Sequence, residues 1–166
     1  MTKTVKALCG VLVLCLVFCG CSLTPADQTV TCGELTLALP ASYVDLSDQE
    51  YAAEFAFVYG FEEEAVLAID QSRQSLEAYY PDLDAEQYAY LLAEVNEYDC
   101  QIGKLGELVT FTYSAEVDGV SFTYVCGVYL GAENFWCVQF YCPAEDFADK
   151  EDKFMDYLQK IQVQEH

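Results

Sequence analysis

LVTFTYSAEVDGVSFTYVCGVYLGAENFWCVQFYCP, residues 108 to 143, is a run of β-branched and aromatic residues broken twice, at Asp118-Gly119 and at Gly131 to Asn134. Asp-Gly between alternating apolar residues is a strong signal for a two-residue hairpin turn, whose central positions both need positive φ. Pairing Val117 with Val120 sets Ala115 opposite Phe122, Tyr113 opposite Tyr124 and Phe111 opposite Cys126. The second turn pairs Leu130 with Phe135 and Val128 with Cys137. Side chains alternate between the faces of a strand. One face therefore gathers Val109, Phe111, Tyr113, Phe122, Tyr124, Cys126, Val128, Phe135, Cys137 and Tyr141. The other gathers Val125, Tyr129, Trp136, Val138, Phe140 and Cys142 among threonines, serines and Gly127. Both faces are apolar around the last strand, so both require a cover. The expectation is an α+β domain: a single antiparallel β-sheet of about six strands with helices on both faces.

Those helices lie on either side of the hairpins. Asp84-Ala-Glu-Gln87 is a capping-box pattern, in which the aspartate accepts from the backbone and the glutamine reaches back. Behind it Tyr88, Leu91, Leu92 and Val95 recur at i, i+3, i+4 and i+7, the spacing of one buried helix face. A closing helix from about residue 144 to 162 aligns Phe147, Phe154, Leu158 and Ile161. Upstream, Leu35 to Leu39 alternates as a strand stopped by Pro40, and Ser47 is placed to cap a short helix. Phe55 to Phe61 and Ala65 to Asp70 form a further hairpin with Glu62, Glu63 and Glu64 as its turn. In GKLG, residues 103 to 106, the glycines mark a turn, since the remainder of a phosphate-binding loop is missing.

The start of the chain has a different character. Residues 1 to 26 contain no acid; Lys3 and Lys6 precede an apolar run from Ala7 to Cys19, and Gly20-Cys21 follows. This is the pattern of a bacterial lipoprotein signal, with residues 1–20 removed and Cys21 lipidated. Residues 21–34 then read as the lipidated terminus and a tether, and residues 35–163 as the folded domain. A flexible chain of that length spans roughly 20 Å, which keeps the domain close to the membrane. Acyl chains gain roughly 0.8 kcal/mol per buried methylene, so two or three of them hold a protein firmly. The expected location is the extracytoplasmic side of the cell membrane.

Charge narrows the partners. The signal takes two of the seven basic residues and none of the 28 acidic ones, which leaves five cations against 28 anions, a net −23. Nucleic acid is excluded, because its binding requires Lys and Arg to displace counterions. A basic protein is favoured, since an acidic field speeds encounter with it. The sole histidine is His166 at the end of the chain, so neither a Ser-His-Asp nor a Cys-His arrangement is available. No cofactor motif is present, and none is expected. Two acidic groups offer oxygen ligands to a hard cation, Glu62, Glu63 and Glu64 in the proposed turn and Asp82 with Asp84 before the helix. Neither has EF-hand spacing. Tyr79, Tyr80 and Tyr90 are candidates to stack on a sugar or a partner.

Beyond Cys21, the mature chain has Cys32, Cys100, Cys126, Cys137 and Cys142, an odd number with no zinc-ligand spacing. Cys126 and Cys137 are diagonal neighbours in the derived register, about 7–8 Å apart and beyond the reach of a disulfide. Cys142 points to the opposite face. A Cys32–Cys100 bond stays open at this level.

The element order, with the segments LTLALPASY, DAEQYAYLLAEVNEY and YVCGVYLGAENFWCVQFYCP ahead of a last amphipathic helix, resembles the PsbP/DcrB-like α/β sandwich domains over about residues 33 to 163. The resemblance is most specific from Phe135 to Phe140 with Cys142-Pro143. It implies a PsbP-like α/β/α sandwich and a binding module rather than a catalyst, since the wider superfamily is similar to the extrinsic PsbP subunit of photosystem II and to a nuclear Ran-binding import factor, which dock onto other proteins. It carries over no catalytic residue. The expected function is a membrane-anchored, non-enzymatic protein-interaction module; the alternative is a lipoprotein that binds a small ligand or divalent cation.

Overall fold

The computed structural model describes residues 27 to 164. The proposed signal, Cys21 and the first residues of the tether lie outside the described residues. Ten strands and three helices follow in the order β1 Asp27–Cys32, β2 Leu35–Pro40, β3 Val44–Asp45, β4 Phe57–Phe61, β5 Glu64–Ser72, α1 Arg73–Glu77, α2 Ala85–Val95, β6 Gly103–Leu105, β7 Leu108–Val117, β8 Val120–Leu130, β9 Asn134–Pro143, α3 Phe147–Lys160 and β10 Gln162–Val163. A 3-10 turn, Glu50–Glu54, precedes β4. Its capping position is Gln49 without a side-chain bond, and Ser47 instead donates its backbone N–H to Asp45 Oδ1.

The expected single sheet of about six strands is replaced by two sheets, one of seven strands ordered β3-β4-β5-β9-β8-β7-β6 and one of three ordered β1-β2-β10. All pairings are antiparallel. The tether reading also ends early, because residues 27–32 form β1 and join β2 through a two-residue turn at Gly33-Glu34. β1 escapes sequence reading because only Val30 of its six residues is buried. β2 alternates as expected, yet its apolar face, Leu35, Leu37 and Leu39, packs on the large sheet instead of extending it.

The central register is the one derived from Asp118-Gly119, where both residues have positive φ, 52° and 81°. Leu130 pairs with Phe135 and Val128 with Cys137. The two faces separate as derived. Val109, Phe111, Tyr113, Cys126, Val128, Phe135 and Cys137 pack under α2, whereas Val125, Tyr129, Trp136, Val138, Phe140 and Cys142 pack under α3 and the small sheet. One face therefore has a helix as its cover, and the other shares its cover between a helix and strands.

The α2 stripe is rotated from the expected one. Tyr88, Ala89 and Leu92 are buried, while Val95 is 71% exposed and Leu91 half-buried. α3 is shorter than the expected span; of the expected stripe, Phe154, Leu158 and Ile161, the residue after the helix, are buried, and Phe147 is half-buried. The sheet also resolves the cysteines. All five described cysteines are free. Cys32 packs with the α3-side core and Cys100 with the α2-side core, so the large sheet stands between them.

Candidate functional site

Three exposed tyrosines meet beside α1 and α2. Ser72 caps α1 by accepting the Ser75 N–H at 3.4 Å, and the amides of Tyr79 and Tyr80 both donate to the Leu76 carbonyl, at 2.9 and 2.8 Å. This winds the chain tightly after α1 and brings both rings out. Asp82 then takes a positive φ of 61°, and Asp84 starts α2 with the capping box, Gln87 N–H to Asp84 Oδ1 at 2.8 Å and Asp84 N–H to Gln87 Oε1 at 3.0 Å. Tyr90 sits on the helix face opposite Ala89 and Leu92. Beneath them Leu76 and Leu83 pack against the α2-side core and fix the segment to it.

Tyr79, Tyr80 and Tyr90 are 81%, 45% and 55% exposed. With Pro81, Leu83 and Leu91 they line a concavity of about 480 Å³, and Gln87 and Glu94 supply polar groups at its rim. Tyrosine is among the residues enriched where protein surfaces make contact. Its surroundings are acidic. Glu94 and Glu97 are exposed, and the two nearby cations are already paired, Arg73 with Glu77 at 3.2 Å and Lys104 with Glu86 at 2.6 Å. Every described Lys and Arg is in an ion pair.

The acidic candidates separate. Glu62 and Glu63 form the exposed β4–β5 turn, with Glu62 at φ 54°. Glu64 leaves the turn: as the first residue of β5 it is 5% exposed, and it accepts from the Tyr43 hydroxyl at 2.7 Å. It also pairs with Lys153 at 2.5 Å and Lys150 at 3.4 Å. Burial works against its charge, but hydrogen bonds from Lys153 and Tyr43 and the two ammonium groups prevail and hold its carboxyl below the ordinary range. Glu64 is thus the hub that ties β5 to α3, saturated by cations of the chain itself. Asp84 serves as a helix cap. Among the described residues no group of three or more His, Cys, Asp or Glu converges as a metal site: Glu64 turns from Glu62 and Glu63 to the lysines of α3, and Asp84, two residues after Asp82, caps α2. The hub is not legible in the sequence, because Lys150 and Lys153 are 86 and 89 residues away from Glu64.

A second, apolar groove lies at the other end of the large sheet. Its floor and walls come from Val44 of β3, Phe61 of β4, Ala65 of β5, Tyr141 of β9 and Phe122 of β8, with Leu46, Tyr51 and Val120 at the sides and Glu62, Glu63 and Glu64 at the β4–β5 turn. Its volume is about 490 Å³.

No protein-family model matches the sequence, and no curated protein matches it. Solved structures share the fold. The solution structure of cyanobacterial PsbP (CyanoP) from Synechocystis sp. PCC 6803 superposes with a TM-score of 0.61 at 12% identity, over 90% of this chain and 99% of that one. A protein of Bacteroides thetaiotaomicron VPI-5482 gives 0.54 at 9% identity, over 87% of this chain and 50% of that one. A mutant of protein Mog1 gives 0.53 at 12% identity, over 84% and 96%. Two antiparallel sheets, the helices that cover them and this likeness together make the chain an α+β protein of PsbP-like fold.

Proposed function

We propose that this chain is a lipid-anchored extracytoplasmic protein, held at Cys21, whose domain is a non-enzymatic module that docks a basic protein on the tyrosine concavity. The observation that carries the reading is the cluster of Tyr79, Tyr80 and Tyr90, exposed together on a surface whose cations are all paired with acids of the same chain. Tyrosine supplies large, rigid contact area with a polar tip at low entropic cost. The uncompensated acids around it favour a partner rich in Lys and Arg and speed its arrival. The anchor in this reading is the acyl group at Cys21, and among the described residues no helix is long and apolar enough to cross a membrane.

The test is cross-linking of the full chain in intact cells, followed by identification of what it captures, beside the variant with Tyr79→Ala, Tyr80→Ala and Tyr90→Ala. The reading expects a basic partner, captured by the parent and lost both in the variant and in high salt, with the melting temperature of the variant unchanged. Equal capture by both chains removes the tyrosine site. Binding indifferent to salt removes the electrostatic part. Incorporation of an alkyne fatty acid, absent after Cys21→Ser, tests the anchor.

A further inference from the structure

The groove crosses five adjacent strands of the large sheet, from Val44 at the β3 edge through Gly60, Ala65 and Tyr141 to Phe122, with Phe61 and Glu64 at the turn on the opposite face. Four spacings between strands give it a length of about 19 Å. Val44, Tyr51, Phe61 and Val120 along it are exposed, four of the large apolar side chains that the domain leaves in water. Neither α2 nor α3 reaches them. The trough, about 490 Å³ and apolar except at the β4–β5 turn where Glu62, Glu63 and Glu64 line it, has room for one alkyl chain.

The position of the chain's beginning says which alkyl chain. Asp27 pairs with Pro40, and the Gln28 amide donates to the carbonyls of Pro40 and Tyr43. Tyr43 is bonded directly to Val44 of the groove, and its hydroxyl reaches Glu64, another lining residue. The described chain therefore starts beside the groove's β3 end. Cys21 is six residues upstream, a reach of about 20 Å when extended. We propose that this groove takes one acyl chain of the anchor at Cys21, so that the domain lies groove-down against its own lipid. The inference rests on the lipidation reading above.

The consequence is directional. β5 runs from Glu64 at the groove to Ser72 at the start of α1, nine residues or about 26 Å. With the groove on the lipid, the tyrosine concavity beyond α1 is presented away from the bilayer, toward an incoming partner.

The experiment uses the full chain, processed in cells fed an alkyne fatty acid. It carries Val120→p-benzoylphenylalanine or Phe61→p-benzoylphenylalanine in the groove, and Val95→p-benzoylphenylalanine on the far side as a control. All three positions are exposed, so the label does not disturb the core. After irradiation in dilute detergent and digestion, the groove positions are expected to yield a peptide covalently joined to the acylated N-terminal peptide, and Val95 is not. Fatty acid incorporated without that product overturns the groove and leaves the anchor standing. Cross-links from Val120 and Phe61 to phospholipid or to a second protein alone overturn it in favour of those occupants. No incorporation at all defeats both the anchor and the groove.

Discussion

The indole N–H of Trp136 donates to Oε2 of Glu34 at 3.2 Å, across 102 residues of chain. The same carboxylate accepts the backbone N–H of Glu133 at 2.8 Å and of Asn134 at 3.1 Å. From the other side Arg73 grips the same turn, its Nη1 donating to the carbonyls of Gly131 at 3.1 Å and Ala132 at 3.3 Å. The β8–β9 turn is therefore held by two charged residues from the β1–β2 turn and α1. Gly131 makes room for this, since a Cβ there would stand 2.3 Å from Oε2 of Glu34.

Glu34→Ala leaves three donors without their acceptor, and each unpaired buried donor costs about 1–3 kcal/mol. Allowing for partial rehydration of the turn, the expected loss is about 2–4 kcal/mol, read as a lower denaturant midpoint at an unchanged slope. Gly131→Ala acts in the same direction by pushing the carboxylate away. A midpoint unmoved by Glu34→Ala would show that water replaces the clamp without cost.

Glu34 belonged, on sequence grounds, to a tether, and the reason for that error is physical. The β7–β8–β9 meander was legible down to register because Asp118-Gly119 fixes the turn, and alternation then assigns Phe111, Cys126 and Cys137 to one face and Trp136, Val138 and Phe140 to the other. β1 carries no such alternation. Its place is set by backbone pairing to β2 and by Glu34, contacts about a hundred residues apart that local pattern cannot express. The exposure of Tyr79 and Tyr80 was legible because an aromatic pair beside Pro81 has no helical or strand period to bury it. Glu64 was not, since a glutamate in a run of three looks solvated until α3 brings Lys150 and Lys153 to it.

The same two glutamates predict how the fold responds to acid. For Glu34, burial opposes ionisation, but the hydrogen bonds from Glu133, Trp136 and Asn134 outweigh it; for Glu64, the bonds and charges of Lys153, Tyr43 and Lys150 do so. Both carboxyls titrate below their ordinary value of 4.5 in the folded chain. The unfolded chain then binds protons first, so stability is fully present above that value and falls as the pH drops through the folded-state values. Denaturation midpoints measured from neutral pH to about pH 3 should decline below about pH 5. Glu64→Gln should flatten that decline while lowering the neutral plateau; an acid limb identical to the parent's would remove Glu64 as its source.

Tyr88 offers a test in the opposite direction. It is fully buried and stacks on Phe135 with ring centroids 4.7 Å apart, yet among the described residues its hydroxyl has no hydrogen-bond partner. Burial pushes the phenol's pKa up, with Cys137 and Asp70 adding to the effect. An unpaired buried hydroxyl is a net cost, and Tyr88→Phe keeps the ring while deleting it. The substitution should leave stability unchanged or raise it by up to about 1 kcal/mol. A loss above about 1 kcal/mol would mean that the hydroxyl is bonded after all, through a buried water.

The thiols report the topology itself. Cys32 donates to the Ala56 carbonyl at 3.4 Å on the α3 side of the large sheet, while Cys100 packs on the α2 side. No local movement joins them through a sheet. Cys126 and Cys137 share a face one diagonal apart, and Cys142 faces away from both. Unfolded in denaturant without reductant, the domain should therefore titrate five thiols. In the folded domain, desolvation raises the pKa of Cys32 and Cys100 and slows them, but both are partly exposed and should still react with an alkylating probe. Cys126, Cys137 and Cys142 are buried and should react only as fast as the core opens. A titre of three in denaturant, with Cys32 and Cys100 joined within one chain, would require the two thiols to share a face of the sheet, against the observed strand order.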